Sequence, residues 1–252
     1  EFIKEKRDDV LLIHTSYLDN EENLDETFLK LAMRTRERNL KKYNHLFLGH
    51  WLSDSEGALF RMLDIDRNRV PLQDYSDNDI EQIVVAWDPA VTDSKNGVTE
   101  SGSEPDMDGI VVCARDRSNF HYCLGDYTMH GTRSQVVKKV VEVYHRLSCN
   151  AIVIETNQGG DFLKDAIRRV DSTVRIQMVR ATKGKAIRAE PIQVLVEEDK
   201  MRHVGTHAEL EYEMVTWVPD TGMKSPNRLD AYVWANTALI KNIHTAPKAY
   251  CF

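Results

Sequence analysis

Long apolar stretches are missing from this 252-residue chain. No run approaches the roughly 18 residues that a membrane-crossing helix needs, and the polar start lacks the apolar core of a secretory leader. Cysteine is scarce and scattered: Cys113, Cys123, Cys149 and Cys251 form no C-x-x-C pair. That spacing argues against a disulfide framework or a zinc site, and fits free thiols in a reducing cytoplasm. Also absent are a G-x-x-x-x-G-K-[ST] phosphate loop, an internal repeat and any low-complexity segment. The stretch "EPDMDG" begins like a calcium loop, but Arg115 stands at its twelfth position, where a bidentate glutamate is required, so an EF-hand is excluded.

What is present is a globular composition, 42% hydrophobic and 29% charged. The length suits one large domain, or a medium domain with an appendage. A net charge of −7 argues at first against a nucleic-acid partner. Its distribution reverses part of that argument. Residues 79–116 hold nine acids against two bases, whereas residues 164–188 hold eight bases against two acids. An acidic patch and a basic stretch in one domain suit a site that binds cations and also faces phosphates; two solvated faces would give the same counts.

Residues 9–20, "DVLLIHTSYLDN", predict a short strand and a turn. Residues 24–43 predict a helix, with Leu24, Phe28 and Leu31 at i, i+4 and i+7. Residues 61–79 are polar, contain Pro71 and show no sustained period, which reads as a linker between an N-terminal piece, 1–60, and a main domain, 80–252. The apolar run "QIVVAWD" predicts a strand buried on both faces. "GIVVCAR" and "FHYCLGDYT" flank the turn "DRSN" as an antiparallel hairpin. A helix over 132–147 leads to a second buried strand, "AIVIETN", which a helical crossover places parallel to the first. "GGDFLKDAIRRV" predicts a helix with Phe162, Ala166 and Val170 inward, followed by the strand "STVRIQMV". A helix over 185–199 must accommodate Pro191. "MRHVGTHAELEYEMVTWV" alternates and predicts strands around the turn "GT", with its two histidines splayed apart in structural roles. Ser225 and Pro226 open a closing helix.

Both buried strands end in an acid, Asp88 and Glu155. Sites in open α/β sheets form beyond the carboxyl ends of central strands, so these two acids should sit side by side. Asp230 lies early in the closing helix among residues suited to packing, where an acid is costly unless paired or ligating a cation. Singly, each has an ordinary explanation. Together they predict a three-acid metal site, and an all-carboxylate site favours Mg²⁺ or Mn²⁺ over zinc. Two such ions can activate a water and stabilise the leaving oxygen of a phosphodiester. Lys183, Lys185 and Arg188 lie on a loop leading into a helix, either as a solvated face or, in the nuclease fold that the resemblance below implies, as contacts to a DNA backbone. Gly159 and Gly160 open a helix, where free amides could meet a phosphate or a tight turn could demand glycine.

The motifs "VVAWDPAV", "DMDGIVV", "IVIETNQGGDFL", "RATKGKAIRAEPI" and "SPNRLDAYVWA" together resemble the nuclease domain of the large terminase subunit of tailed bacteriophages. The resemblance spans residues 80–241 and implies an RNase H-like fold, a mixed central sheet flanked by helices. Residues 1–60 resemble the end of that family's ATPase domain, so the missing phosphate loop implies a fragment without ATPase activity. Carried over, the family's metal-binding acids fall on Asp88, Glu155 and Asp230, with Asp106 or Asp108 as a fourth. The resemblance also implies cleavage of double-stranded viral DNA during packaging, leaving 5′-phosphate and 3′-hydroxyl ends. Its implied partners are the portal protein and the small terminase subunit, at the procapsid motor in the cytoplasm of an infected bacterium. A resolvase- or transposase-like nuclease and a non-catalytic portal-docking module are the alternatives.

Overall fold

A computed structural model describes residues 13–38, 40–50, 55, 57–90, 107–156, 160–182, 184–219, 221 and 226–240. The chain divides into two compact units, Glu1–Ser53 and Asp54–Phe252. In the first unit, a 3-10 turn at Tyr17–Asn23 is closed by a reciprocal capping box between Ser16 and Asp19. Two helices follow, α1 (Glu26–Arg38) and α2 (Leu40–Leu46). Tyr17, Phe28, Tyr43 and Phe47 pack edge-on or stacked with ring centroids about 6 Å apart. The predicted helix is thus two, and residues 13–16 are not a strand; residues 9–12 lie outside the described residues.

The second unit takes in the stretch predicted as a linker. Residues 61–79 carry α3 (Met62–Arg67) and the short strand β1 (Arg69–Val70), which pairs in parallel with a later strand. Burial of Ile65 and the bidentate grip of Arg69 on Glu211 hold this polar stretch against the sheet. The remaining elements are β2 (Ile80–Asp88), β3 (Gly109–Asp116), β4 (His121–Asp126), α4 (Arg133–Arg146), β5 (Ala151–Glu155), α5 (Gly160–Val170), β6 (Ile176–Val179), α6 (Lys185–Glu197), β7 (Met201–Val204), α7 (Ala208–Thr216) and α8 (Asn227–Ile240). No helix among the described residues is long and apolar enough to cross a membrane.

One seven-stranded mixed sheet runs in the order β1-β7-β4-β3-β2-β5-β6. The hairpin pairs β2–β3 and β3–β4 are antiparallel; β2–β5, β5–β6, β4–β7 and β1–β7 are parallel. Asp116 shapes the turn between β3 and β4, taking the amides of Ser118 and Phe120 on one oxygen at 2.8 and 2.9 Å. Every residue of β3 is buried, as expected of a strand covered on both faces. On one face Val85, Trp87, Ile110, Val112, Ile152 and Ile154 pack with the valines of α4. Helix α8 lies across β2 and β3, with α6 and α7 beside it.

Two helices differ from the sequence pattern. In α5 the inward residues are Leu163 and Ile167, while Phe162 is 64% exposed; the predicted stripe lies one position out of phase. The second half of the predicted strand pair is α7. Leu210, Tyr212 and Met214 mimic strand alternation, but the buried positions are 210, 211, 214 and 215, a helical period.

The approach of α8 to the sheet leaves no room at Gly109. A Cβ there would collide with the main-chain carbonyl of Asn227, whose side-chain amide also bonds the Met107 carbonyl. Gly109→Ala should therefore push the start of α8 off the sheet. Urea unfolding should show a loss of roughly 1–3 kcal/mol, the usual scale of overpacking, and an unchanged midpoint would disprove the close approach.

Candidate active site

The three acids arrive at one end of the sheet by three routes. Trp87 and Ile154 are register partners in the parallel pair β2–β5, so the next residues, Asp88 and Glu155, leave their strands as neighbours. Asp230 comes from the first turn of α8, its amide bonded to the Pro226 carbonyl. Glu155 and Asp230 are only 7% and 6% exposed.

Two cations of α6 lie among these acids. Lys185 forms an ion pair with Asp230. Arg188 reaches both, with Nη1 3.7 Å from Glu155 Oε1 and Nη2 3.8 Å from Asp230 Oδ1. Each cation is backed by an indole: Lys185 Nζ stands 5.0 Å from the Trp217 ring, and the Arg188 guanidinium 4.5 Å above Trp234. The Trp234 indole N–H also donates to Glu155 Oε2. Trp234 follows Asp230 by four residues, so one face of α8 supplies one acid and orients another. Nothing in the amino-acid pattern marks Trp234 beyond that spacing.

Asp88 differs from its neighbours. Its carboxylate makes no hydrogen bond or ion pair among the described residues. Burial, then the charges of Asp230 and Glu155, push its carboxyl well above the usual range, and Lys185 and Arg188 oppose the rise. Burial also lowers Lys185, against the pull of Asp230. The acids interact electrostatically, yet among the described residues no three Asp, Glu, His or Cys side chains form a ready metal cage. The donor chemistry still fits a hard divalent ion: the acids offer only carboxylate oxygens, one of them uncommitted.

Asp108 is turned elsewhere. Its Oδ1 accepts from Trp87 Nε1 at 2.8 Å, Arg133 Nη1 at 2.8 Å and the Ala90 amide at 3.2 Å, while Arg133 Nη2 holds the Ala90 carbonyl at 3.1 Å. The pair fastens the chain just beyond Asp88. Asp106, Gly159 and Lys183 lie outside the described residues; Gly160 opens α5. Lys185 and Arg188 stand in the first turns of α6, where the predicted helix begins, and point at the acids. His203 and His207 are structural, the first bonded to Glu211 and the second to the Cys123 carbonyl.

The start of α8 is fastened a second time. Arg228 Nε bonds Asp126 Oδ2 at 2.8 Å and its Nη1 bonds Glu213 Oε1 at 3.2 Å, while Glu213 Oε2 takes the Leu229 amide at 3.1 Å. A carboxylate at a helix N-terminus is favoured by the helix dipole.

A mixed sheet with parallel acid-tipped strands beside an antiparallel hairpin, closed by an acid-bearing helix, defines the RNase H-like class. The sequence matches the family "Terminase RNaseH-like domain" over residues 85–239, and the chain belongs to that family. Among solved structures it is similar to the large terminase nuclease domain of phage P22, at TM-score 0.50 and 13% identity, covering 70% of this chain and 89% of that one. It also resembles the large terminase of bacteriophage HK97, at TM-score 0.52 and 10% identity, over 85% of this chain and 51% of that one. The large terminase of a thermophilic bacteriophage in complex with ADP gives TM-score 0.52 and 12% identity, over 92% of this chain and 55% of that one. A search of curated proteins found no match.

Burial raises Glu213 from its ordinary 4.5 to about 7, against the lowering effect of Arg228. A carboxyl raised on folding contributes stability at low pH that is lost as pH climbs from its unfolded to its folded value. Between about pH 5 and about pH 8 the parent should therefore lose more stability than Glu213→Gln, by at most roughly 3 kcal/mol. Urea midpoints at the two pH values check this, and parallel losses would refute it.

Proposed function

We propose that this protein is a divalent-metal-dependent endonuclease that cuts double-stranded DNA during viral genome packaging. The observation that carries the reading is the convergence of Asp88, Glu155 and Asp230 from β2, β5 and α8, in a chain of the terminase RNase H-like family. Asp88, Glu155 and Asp230 would hold Mg²⁺ or Mn²⁺. Bound there, a pair of such ions supplies an activated water and charge stabilisation for the leaving oxygen.

The chain's own groups have separable tasks. The indole N–H of Trp234 fixes one oxygen of Glu155, leaving Oε1 to face the site. Asp108 and Arg133 fix the turn after Asp88, so that its carboxylate keeps one direction. Lys185 and Arg188 offer positive charge to a phosphodiester, and no side chain is needed as nucleophile. Lys183 and the amides of Gly159 and Gly160 would extend contact along the DNA backbone.

Residues 1–60, of which 1–53 form the first compact unit, are proposed as the end of an ATPase domain, supported by the coverage of this chain in the large terminases of HK97 and of the thermophilic bacteriophage, of which it spans about half. By the same reading the portal protein and the small terminase subunit are its partners, at the packaging motor in an infected bacterium's cytoplasm.

The protein should nick and degrade plasmid DNA in Mn²⁺ or Mg²⁺ with little sequence preference, and EDTA should stop it. Asp230→Asn should lower the rate at least about a hundredfold, the effect of losing roughly 3 kcal/mol of transition-state stabilisation. Undiminished cleavage in EDTA, or by the variant, would overturn the assignment.

A further inference from the structure

We propose that Lys185 and Arg188 are exchangeable counter-ions that make metal and DNA binding cooperative. The inference rests on the nuclease reading above and adds to it how the site is loaded. Without ligands, the two cations neutralise Asp230 and Glu155; when DNA arrives, its phosphates draw the cations off and release the carboxylates for a divalent ion.

Charge and geometry both lead there. In the ligand-free site the two cations stand against Asp230 and Glu155, while Asp88 has no ion pair among the described residues. That balance is tolerable for Glu155 and Asp230, which are almost fully buried. A divalent ion entering with both cations in place meets an ammonium already on Asp230 and a guanidinium within 4 Å of both acids. Metal and cations therefore compete for the same oxygens. The competition is costly, because breaking a buried pair leaves an uncompensated charge. A phosphodiester removes that cost by giving the cations another anion.

The cations are built for such a transfer. Lys185 and Arg188 are one helical turn apart on α6, so both turn toward the same side. Their side chains are only 11% and 13% exposed, yet Arg188 Nε and Nη1 have no hydrogen-bond acceptor among the described residues. Arg188 touches its two acids only at 3.7 and 3.8 Å, well beyond hydrogen-bond length. It thus balances them without spending the donors at Nε and Nη1, which remain for phosphate oxygens. The indoles of Trp217 and Trp234 provide faces on which each cation can slide while staying partly desolvated. Gly184, which caps α6, contributes no side-chain hydrogen bond, and the space beside its Cα is open. An anion meeting Lys185 therefore also meets the uncapped start of the helix.

Linkage requires the effect to be reciprocal: if DNA tightens metal binding, metal must tighten DNA binding by the same factor. A metal that merely bridges to a phosphate would give coupling too, so the lysine must be varied. The test is calorimetric titration with Ca²⁺, with and without a saturating DNA duplex whose integrity is checked on a gel. In the parent, the duplex should lower the Ca²⁺ dissociation constant about tenfold, within the usual range for coupled sites. In Lys185→Gln, Ca²⁺ alone should bind several-fold tighter than in the parent, and the duplex effect should shrink below about twofold. Arg188→Gln should change both readouts in the same directions, and it carries the test if Lys185→Gln loses the parent's far-ultraviolet dichroism. The proposal is overturned if the variant binds Ca²⁺ no more tightly than the parent, or if the duplex shifts both equally. Cleavage in Mn²⁺ by a parent that shows no coupling would sink the exchange and leave the nuclease reading standing. Coupling without cleavage would support the exchange and count against the nuclease.

Discussion

The packing of α8 across β2 and β3 is the constraint on which the rest of the site depends. Gly109 lets the helix start sit directly on the strand, and Asn227, Arg228 and Leu229 are each tied down within one turn. With that end fixed, a rigid helix carries Asp230 to the strand ends and delivers Trp234 to Glu155 four residues later. The acids therefore do not depend on a loop for their spacing. Two come from adjacent strands of one sheet, and the third from a helix that cannot shift without colliding with that sheet. Sites built on such elements hold geometry more tightly than sites on loops.

Rigidity of this kind has an electrostatic cost. Gathering three carboxylates at one largely desolvated site is unfavourable, and the raised Asp88 is the residue that shows it most plainly. The protein offsets the cost with two cations placed on tryptophan faces, Lys185 in a close ion pair with Asp230 and Arg188 at longer range from both acids. Farther out, the demands change. Arg228 with Asp126 and Glu213, and Arg69 with Glu211, make short hydrogen bonds and are structural. Arg188 stands apart from these arginines: its contacts to the two acids are long, so it balances their charge without clamping them.

Much of this is legible in the amino-acid order. The apolar runs ending at Asp88 and Glu155 are continuous because both faces of the sheet are covered, and their adjacency follows from the crossover between β4 and β5. Asp230 stands out because an acid among packing residues needs a reason. Other features are hidden for physical causes. Helix α7 imitates strand alternation through Leu210, Tyr212 and Met214, and only tertiary burial of Glu211 and Val215 decides for the helix. The polar stretch around Arg69 joins the sheet through long-range bonds to Glu211 and Gly205, which no local period encodes. Lys185 and Arg188 read as contacts for a DNA backbone, and their turn toward the acids stays hidden because composition cannot say which way a helix faces. One partner of Asp108 is Trp87, twenty-one residues earlier, and such a pairing emerges only once β2 and β3 are side by side.

Four tryptophans occur in the chain, and two of them, Trp217 and Trp234, lie directly beneath the cations of the acidic centre. Indole emission responds to a nearby charge and to the polarity around the ring. The molecule thus carries a native optical gauge of its own active centre, with no label attached. Light absorbed at the site reports whether an ammonium or a guanidinium still rests on each ring, in the same sample used for every other measurement.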